Sequence, residues 1–104
     1  MNLLRLFLAV TAALVVAAPG ADAADPFHGK DLAQRWCAAC HVVAPGQTSA
    51  SADVPPFMTI ARSPNFSAAG IAYFLLDPHP KMPTLPLSRI DADDLAAYMQ
   101  TLKE

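Results

Sequence analysis

The spacing of apolar positions changes from one stretch of this chain to the next, and each spacing predicts an element. Behind Arg5, residues Leu6 to Ala18 form an unbroken apolar run with no polar face. Pro19-Gly20 interrupts it, and Ala21-Asp22-Ala23 follows. From residue 25 the pattern turns helical. Asp25 suits an N-cap and Pro26 the first helical position, while Leu32, Ala33 and Trp36 carry an apolar face towards residue 37. Periodicity is lost over residues 42–54, whose Ala, Ser, Thr, Gly and Pro content is that of a surface loop. Pro55-Pro56-Phe57 opens a short helix bearing Met58, Ile60 and Ala61, which ends before Pro64. A further helix fits Ser67 to Leu76. Ser67 is its cap, Phe66 and Ile71 stand at staple spacing, and Gly70 weakens it.

Pro78, Pro80, Pro83 and Pro86 exclude a continuous helix over residues 77–90. The last helix has the strongest local signals. Asp91 and Asp94 stand at N-cap and N3 spacing, an acidic variant of the capping box, with Ile90 placed to staple onto Leu95. Ser88, about one turn earlier, is the alternative cap. Asp93 and Asp94 complement the positive end of the helix dipole, and Lys103 the negative end. Leu95, Tyr98, Met99 and Leu102 make a stripe at i, i+3, i+4 and i+7. No stretch alternates as a strand would, so the expected class is all-α.

The run ahead of residue 23 changes how composition is read. A basic residue, an apolar core shorter than the about 20 residues of a membrane span, and a small-x-small site make a secretory signal peptide. The expected organisation is a leader over residues 1–23, cleaved near Ala23, and one domain over residues 24–104; an uncleaved membrane anchor is the alternative. The 54% hydrophobic content is inflated by that leader. Cleavage removes Arg5 and Asp22 together, so the net charge stays at -2. Neither nucleic acid nor an anionic membrane is indicated as a partner. A domain this small buries little apolar surface and needs a staple.

Cys37-Ala38-Ala39-Cys40-His41 supplies the staple and the chemistry. C-x-x-C-H is the spacing of covalent haem attachment. On a helix Cys37, Cys40 and His41 share one face, so two thiols reach the vinyl groups of one porphyrin while the imidazole reaches its iron. The competing readings are a thioredoxin-like dithiol, which belongs beside a βαβ pattern, and a zinc site, for which His79 is the nearest fourth ligand. A structural disulfide is the third, and it leaves His41 unexplained. Export agrees with haem, because haem attachment in bacteria takes place outside the cytoplasm. A haem that forms the core also predicts a haem-free chain that is largely unfolded.

The motif, a Lys81-Met82-Pro83 loop and a closing Asp94–Leu102 helix arrive in an order that resembles the small bacterial class I c-type cytochromes, over most of residues 24–104. The resemblance implies about four helices around one covalent haem c, with the first and last helices crossing. Gly29 and Ala33 would then face Leu95 and Tyr98. It implies Cys37 and Cys40 as thioether positions, His41 as proximal iron ligand and Met82 as distal ligand. Met82 lies between Pro80 and Pro83, and that rigidity helps a weakly binding thioether hold its place. Met58, His79 and the core-type Met99 are the other residues weighed for that position. A proline carbonyl from the following loop would hold the ring N–H of His41, with Pro55, Pro56 or Pro45 the candidates. Arg62 would meet a haem propionate; Trp36, Phe57, Tyr73, Phe74 and Tyr98 would line the haem; His28 reads as a surface residue.

The function so implied is a periplasmic carrier of single electrons that docks transiently with redox partners and is not itself an enzyme. The alternatives are a haem subunit of a periplasmic oxidoreductase complex, or an open-iron protein acting as a peroxidase-like enzyme or gas sensor. Unlike mitochondrial relatives, this chain has no lysine-rich face, so strong electrostatic steering is not expected.

Overall fold

Asp25 begins the first helix as expected, its carboxylate accepting from the backbone N–H groups of Phe27 at 2.9 Å and His28 at 3.3 Å. The computed structural model describes residues 23–77 and 81–104, so the expected leader and the segment Pro78, His79 and Pro80 lie outside the described residues. Four helices are present among those described: α1 (Pro26–Trp36), α2 (Phe57–Ala61), α3 (Ala68–Leu76) and α4 (Arg89–Thr101). There is no strand among the described residues, and the fold is all-α. Ser67 caps α3, accepting from Gly70 N–H at 3.0 Å, and its neighbours Phe66 and Ile71 both pack against the main core.

The start of α4 differs from the favoured sequence frame. Ser88, not Asp91, is the N-cap: Ser88 Oγ accepts from Asp91 N–H and Asp91 Oδ2 accepts from Ser88 N–H, both at 3.0 Å. Ile90 is therefore in the first turn, 70% exposed, and does not staple. Leu87, preceding the cap, packs on the core instead. The shift by three residues moves Asp94 into the helix interior, where it is 4% exposed. Its carboxylate accepts from Asp25 N–H at 2.7 Å and meets His28 Nδ1 at 2.6 Å. A buried carboxylate needs such partners, and the start of α1 supplies unpaired N–H groups. His28 thus keeps 44% of its side-chain surface but ties α1 to α4.

Helices α1 and α4 cross face to face, α3 lies along another side of α4, and α2 touches it more lightly. The expected stripe Leu95, Tyr98, Met99 and Leu102 is buried throughout, against Leu32, Ala33 and Val43. At the crossing a glycine is required: a Cβ on Gly29 would strike the carbonyl oxygen of Asp94 and come within 2.9 Å of Tyr98 Cβ. Small residues also set the α3–α4 contact, through Ala72, Ala92 and Ala96. Apart from the exposed Tyr73 hydroxyl, helix α3 carries only apolar side chains, yet Ala72 alone of its residues is buried. An all-apolar helix is normally covered on every side; here Ile71, Phe74 and Leu75 instead face a cavity.

Candidate functional site

Helix α1 stops at Trp36, one residue before the cysteine motif. Ala33 O accepts from both Cys37 N–H (2.9 Å) and Ala38 N–H (3.0 Å), which widens the chain into a turn. A separate helical turn follows, with Cys37 O accepting from Cys40 N–H at 3.2 Å and His41 N–H at 2.9 Å. The motif is therefore not a continuation of α1, but its i, i+3, i+4 geometry survives in that isolated turn. Cys37 is buried and Cys40 exposed, and neither is in a disulfide. Burial, with Cys40 adding to it, pushes the Cys37 thiol up to about 11. No three His, Cys, Asp or Glu side chains cluster as metal ligands among the described residues.

The His41 ring is oriented by a single hydrogen bond. His41 Nδ1 donates to the carbonyl oxygen of Pro55 at 2.8 Å, which selects Pro55 from the proline candidates. The tautomer that donates from Nδ1 keeps the Nε2 lone pair free for a metal. The ring lies 5.5 Å from that of Phe57, tilted by 55°. Pro55 is itself placed by the next turn, where Phe57 N–H donates to Val42 O at 2.9 Å.

His41 opens onto a cavity of about 330 Å³ lined also by Cys37, Phe57, Ile60, Met82 and Met99, with the apolar face of α3 as a further wall. An adjoining cleft of about 110 Å³ shares Cys37, His41 and Met82 and adds Cys40, Trp36 and Leu85. The slot is nearly all hydrocarbon. His41 and Met82 bring an imidazole and a thioether to it, and both thiols border it. That donor set fits a flat apolar macrocycle with a central iron and two covalent tethers, and no polar ligand of similar size.

Several expected lining residues lie elsewhere. Tyr73 is 73% exposed, and Tyr98 buries its hydroxyl against Val43 O at 2.6 Å instead of facing the cavity. Met58 packs on the core without lining the slot, whereas Met99 reaches its wall. Arg62 donates from one guanidinium nitrogen to the carbonyl oxygen of Glu104 at 3.0 Å. Gln47 was not foreseen. Its Oε1 accepts from Val43 N–H at 2.9 Å, and its Nε2 donates to the carbonyls of His41 (2.8 Å), Ala38 and Ser49 (both 3.0 Å). One polar residue in a Ser/Thr/Pro-rich loop carries no periodic signal that would reveal this.

No protein-family model matches the chain, and no solved structure matches it. Among curated proteins it is similar to cytochrome c-552 of Bradyrhizobium diazoefficiens, 59% identical over 91 residues that cover 88% of each chain.

Proposed function

This chain belongs to the class I monohaem c-type cytochromes and binds haem c covalently, and from that premise we propose that it is a periplasmic carrier of single electrons. The bound haem supplies a one-electron Fe(III)/Fe(II) couple. Cys37 and Cys40 tether it by thioether bonds formed when each thiol adds across a vinyl group. His41 is the proximal ligand, presented through Nε2, and Met82 the distal one. The observation that carries this reading is the Pro55 carbonyl on His41 Nδ1, which aims the other ring nitrogen into a slot that Met82 also lines.

Two protein ligands leave no position open to substrate, so the residues around the iron hold it and exclude water instead of performing a reaction. The hydrocarbon walls from Phe57, Ile60, Phe74 and Leu75 disfavour the more charged oxidised state, and the Met82 thioether does so too. Both raise the reduction potential. Cys40 and Trp36 border the slot and are exposed, so an edge of the haem is accessible to a redox partner through a small, transient interface. Residues 1–23 serve as the export leader and residues 24–104 as the mature domain.

Absorption spectra of the matured protein, oxidised and reduced, test this. A low-spin spectrum with the far-red methionine-to-iron charge-transfer band is expected. Its absence from a low-spin spectrum would transfer the distal position to His79. A high-spin spectrum would mean an open iron and overturn the carrier reading in favour of an enzyme or sensor. Met82→Ala is expected to abolish the band and to let the reduced protein bind carbon monoxide.

A further inference from the structure

Gln47 stands outside the residues that touch the slot, yet it connects the haem-attachment turn to the loop that orients His41. On one side its amide N–H groups serve the Ala38 and His41 carbonyls, within the Cys37–His41 turn. On the other it accepts from Val43 N–H and donates to Ser49 O, in the loop leading to Pro55. Both atoms of the amide are used, and its two N–H groups are shared among three carbonyls.

The neighbouring bonds show what this arrangement constrains. Val43, whose N–H goes to Gln47, is 1% exposed and gives its carbonyl to the buried Tyr98 hydroxyl of α4. Ser51 adds a second tie between the loop and the turn, with its N–H and its Oγ both donating to Ala39 O, at 2.9 and 2.7 Å. The histidine backbone is therefore anchored through Gln47 and Val43 to the core helix. The loop carrying its Pro55 partner is fixed to the same turn. The His41 Nδ1–Pro55 bond is the one hydrogen bond in this circuit made by the His41 ring itself.

We infer that Gln47 is a positioning residue for the proximal ligand: by clamping the attachment turn to the Pro55 loop it keeps the Pro55 carbonyl on His41 Nδ1, and so tunes the iron. This rests on His41 being the proximal ligand. A hydrogen bond from the distal nitrogen of an imidazole makes its metal-bound nitrogen more basic. A more basic ligand favours Fe(III) and lowers the potential, so loosening the clamp raises it. Tight clamping also keeps the Nδ1 proton from exchanging with water.

The test compares matured holoprotein with Gln47→Met, which keeps the length without the hydrogen bonds, and Gln47→Glu, which keeps the acceptor for Val43 and loses the donors. Two readouts apply: reduction potential, and exchange of the His41 Nδ1 proton by NMR in the reduced state. In Gln47→Met the potential is expected to rise; in Gln47→Glu the added negative charge favours Fe(III) and opposes that rise, so Gln47→Glu is read by exchange. Exchange is expected to accelerate in both variants by about two- to tenfold, the equivalent of one net hydrogen bond. An unchanged potential in Gln47→Met and unchanged exchange in both variants, with only a lower unfolding temperature, would reduce Gln47 to a loop staple and overturn the inference. Failure of the ligation itself is read separately, since wild-type protein would then show no protected Nδ1 proton assigned to His41.

Discussion

Replacing Gly29 by alanine sets two effects of opposite sign against each other. In a helix interior alanine is favoured over glycine by about 1 kcal/mol, and it also restricts the unfolded chain. On propensity alone, Gly29→Ala stabilises the protein. At the α1–α4 crossing, however, the added Cβ meets the Asp94 carbonyl oxygen and lies 2.9 Å from Tyr98 Cβ. The first obstacle is backbone inside α4, which cannot swing aside by changing rotamer. Relief requires the two helices to move apart, opening the contact among Leu32, Ala33, Leu95 and Tyr98. Overpacking of this kind costs about 1–3 kcal/mol, and a backbone obstacle belongs at or above the upper figure. The expected net loss is about 2 kcal/mol after the propensity gain is subtracted. For a domain of this size that lowers the unfolding midpoint by roughly 8–16 °C. Thermal unfolding of the holoprotein, followed by far-UV circular dichroism, measures it. A midpoint equal to or above that of wild type would show that the helices do not meet at Gly29.

Three further outcomes are expected. The hydrogen bond from His28 to Asp94, helped by the charges of Asp94, Asp91 and Asp25, raises the His28 pKa above 6.5 against a smaller desolvation effect. The native state therefore holds a proton that the unfolded chain releases at 6.5, so the stabilisation is complete below that pH and declines as pH rises through the native value. Denaturant titrations on either side of neutrality should show this decline, and His28→Gln should lose that part of it. Tyr98→Phe removes the 2.6 Å bond to Val43 O and leaves a buried carbonyl unpaired, at a cost of about 1–3 kcal/mol in urea unfolding; an unchanged midpoint would mean that water replaces the hydroxyl. Haem-free protein, with the slot between α2, α3 and α4 unfilled, should show weak helical circular dichroism and no cooperative melt, and a sharp transition would contradict the view that the haem completes the core.

Sequence made the local signals legible where one residue type answers one physical need. Asp25-Pro26 and Ser67 start their helices, the Leu95–Leu102 stripe faces inward, and the cysteine spacing survives even though α1 ends at Trp36. The start of α4 was ambiguous because Ser88/Asp91 and Asp91/Asp94 offer the same spacing three residues apart. The choice is made by tertiary structure, through the unpaired Asp25 N–H and His28, which need the Asp94 carboxylate at the crossing. The role of Gln47 and the choice of Pro55 were equally hidden, since both depend on how an aperiodic loop folds back on the cysteine turn. Aromatic content also overstated the lining: Tyr73 points outward and Tyr98 serves Val43, while the aliphatic Ile71 and Leu75 supply much of the wall.

The Pro55 carbonyl has a consequence for protons as well as for geometry. Many metal-bound histidines give their second N–H to a carboxylate, a group that can itself take up a proton when the charge on the metal changes. A peptide carbonyl has no accessible proton equilibrium near neutral pH, and proline offers no N–H to exchange roles. With His41 on the iron, oxidation and reduction proceed at this ligand without proton transfer to or from its partner. The partner of His41 therefore adds no proton equilibrium of its own across the neutral range. An iron held by His41 would thus find, in the Pro55 carbonyl, a partner whose hydrogen bond is indifferent to the acidity of its surroundings.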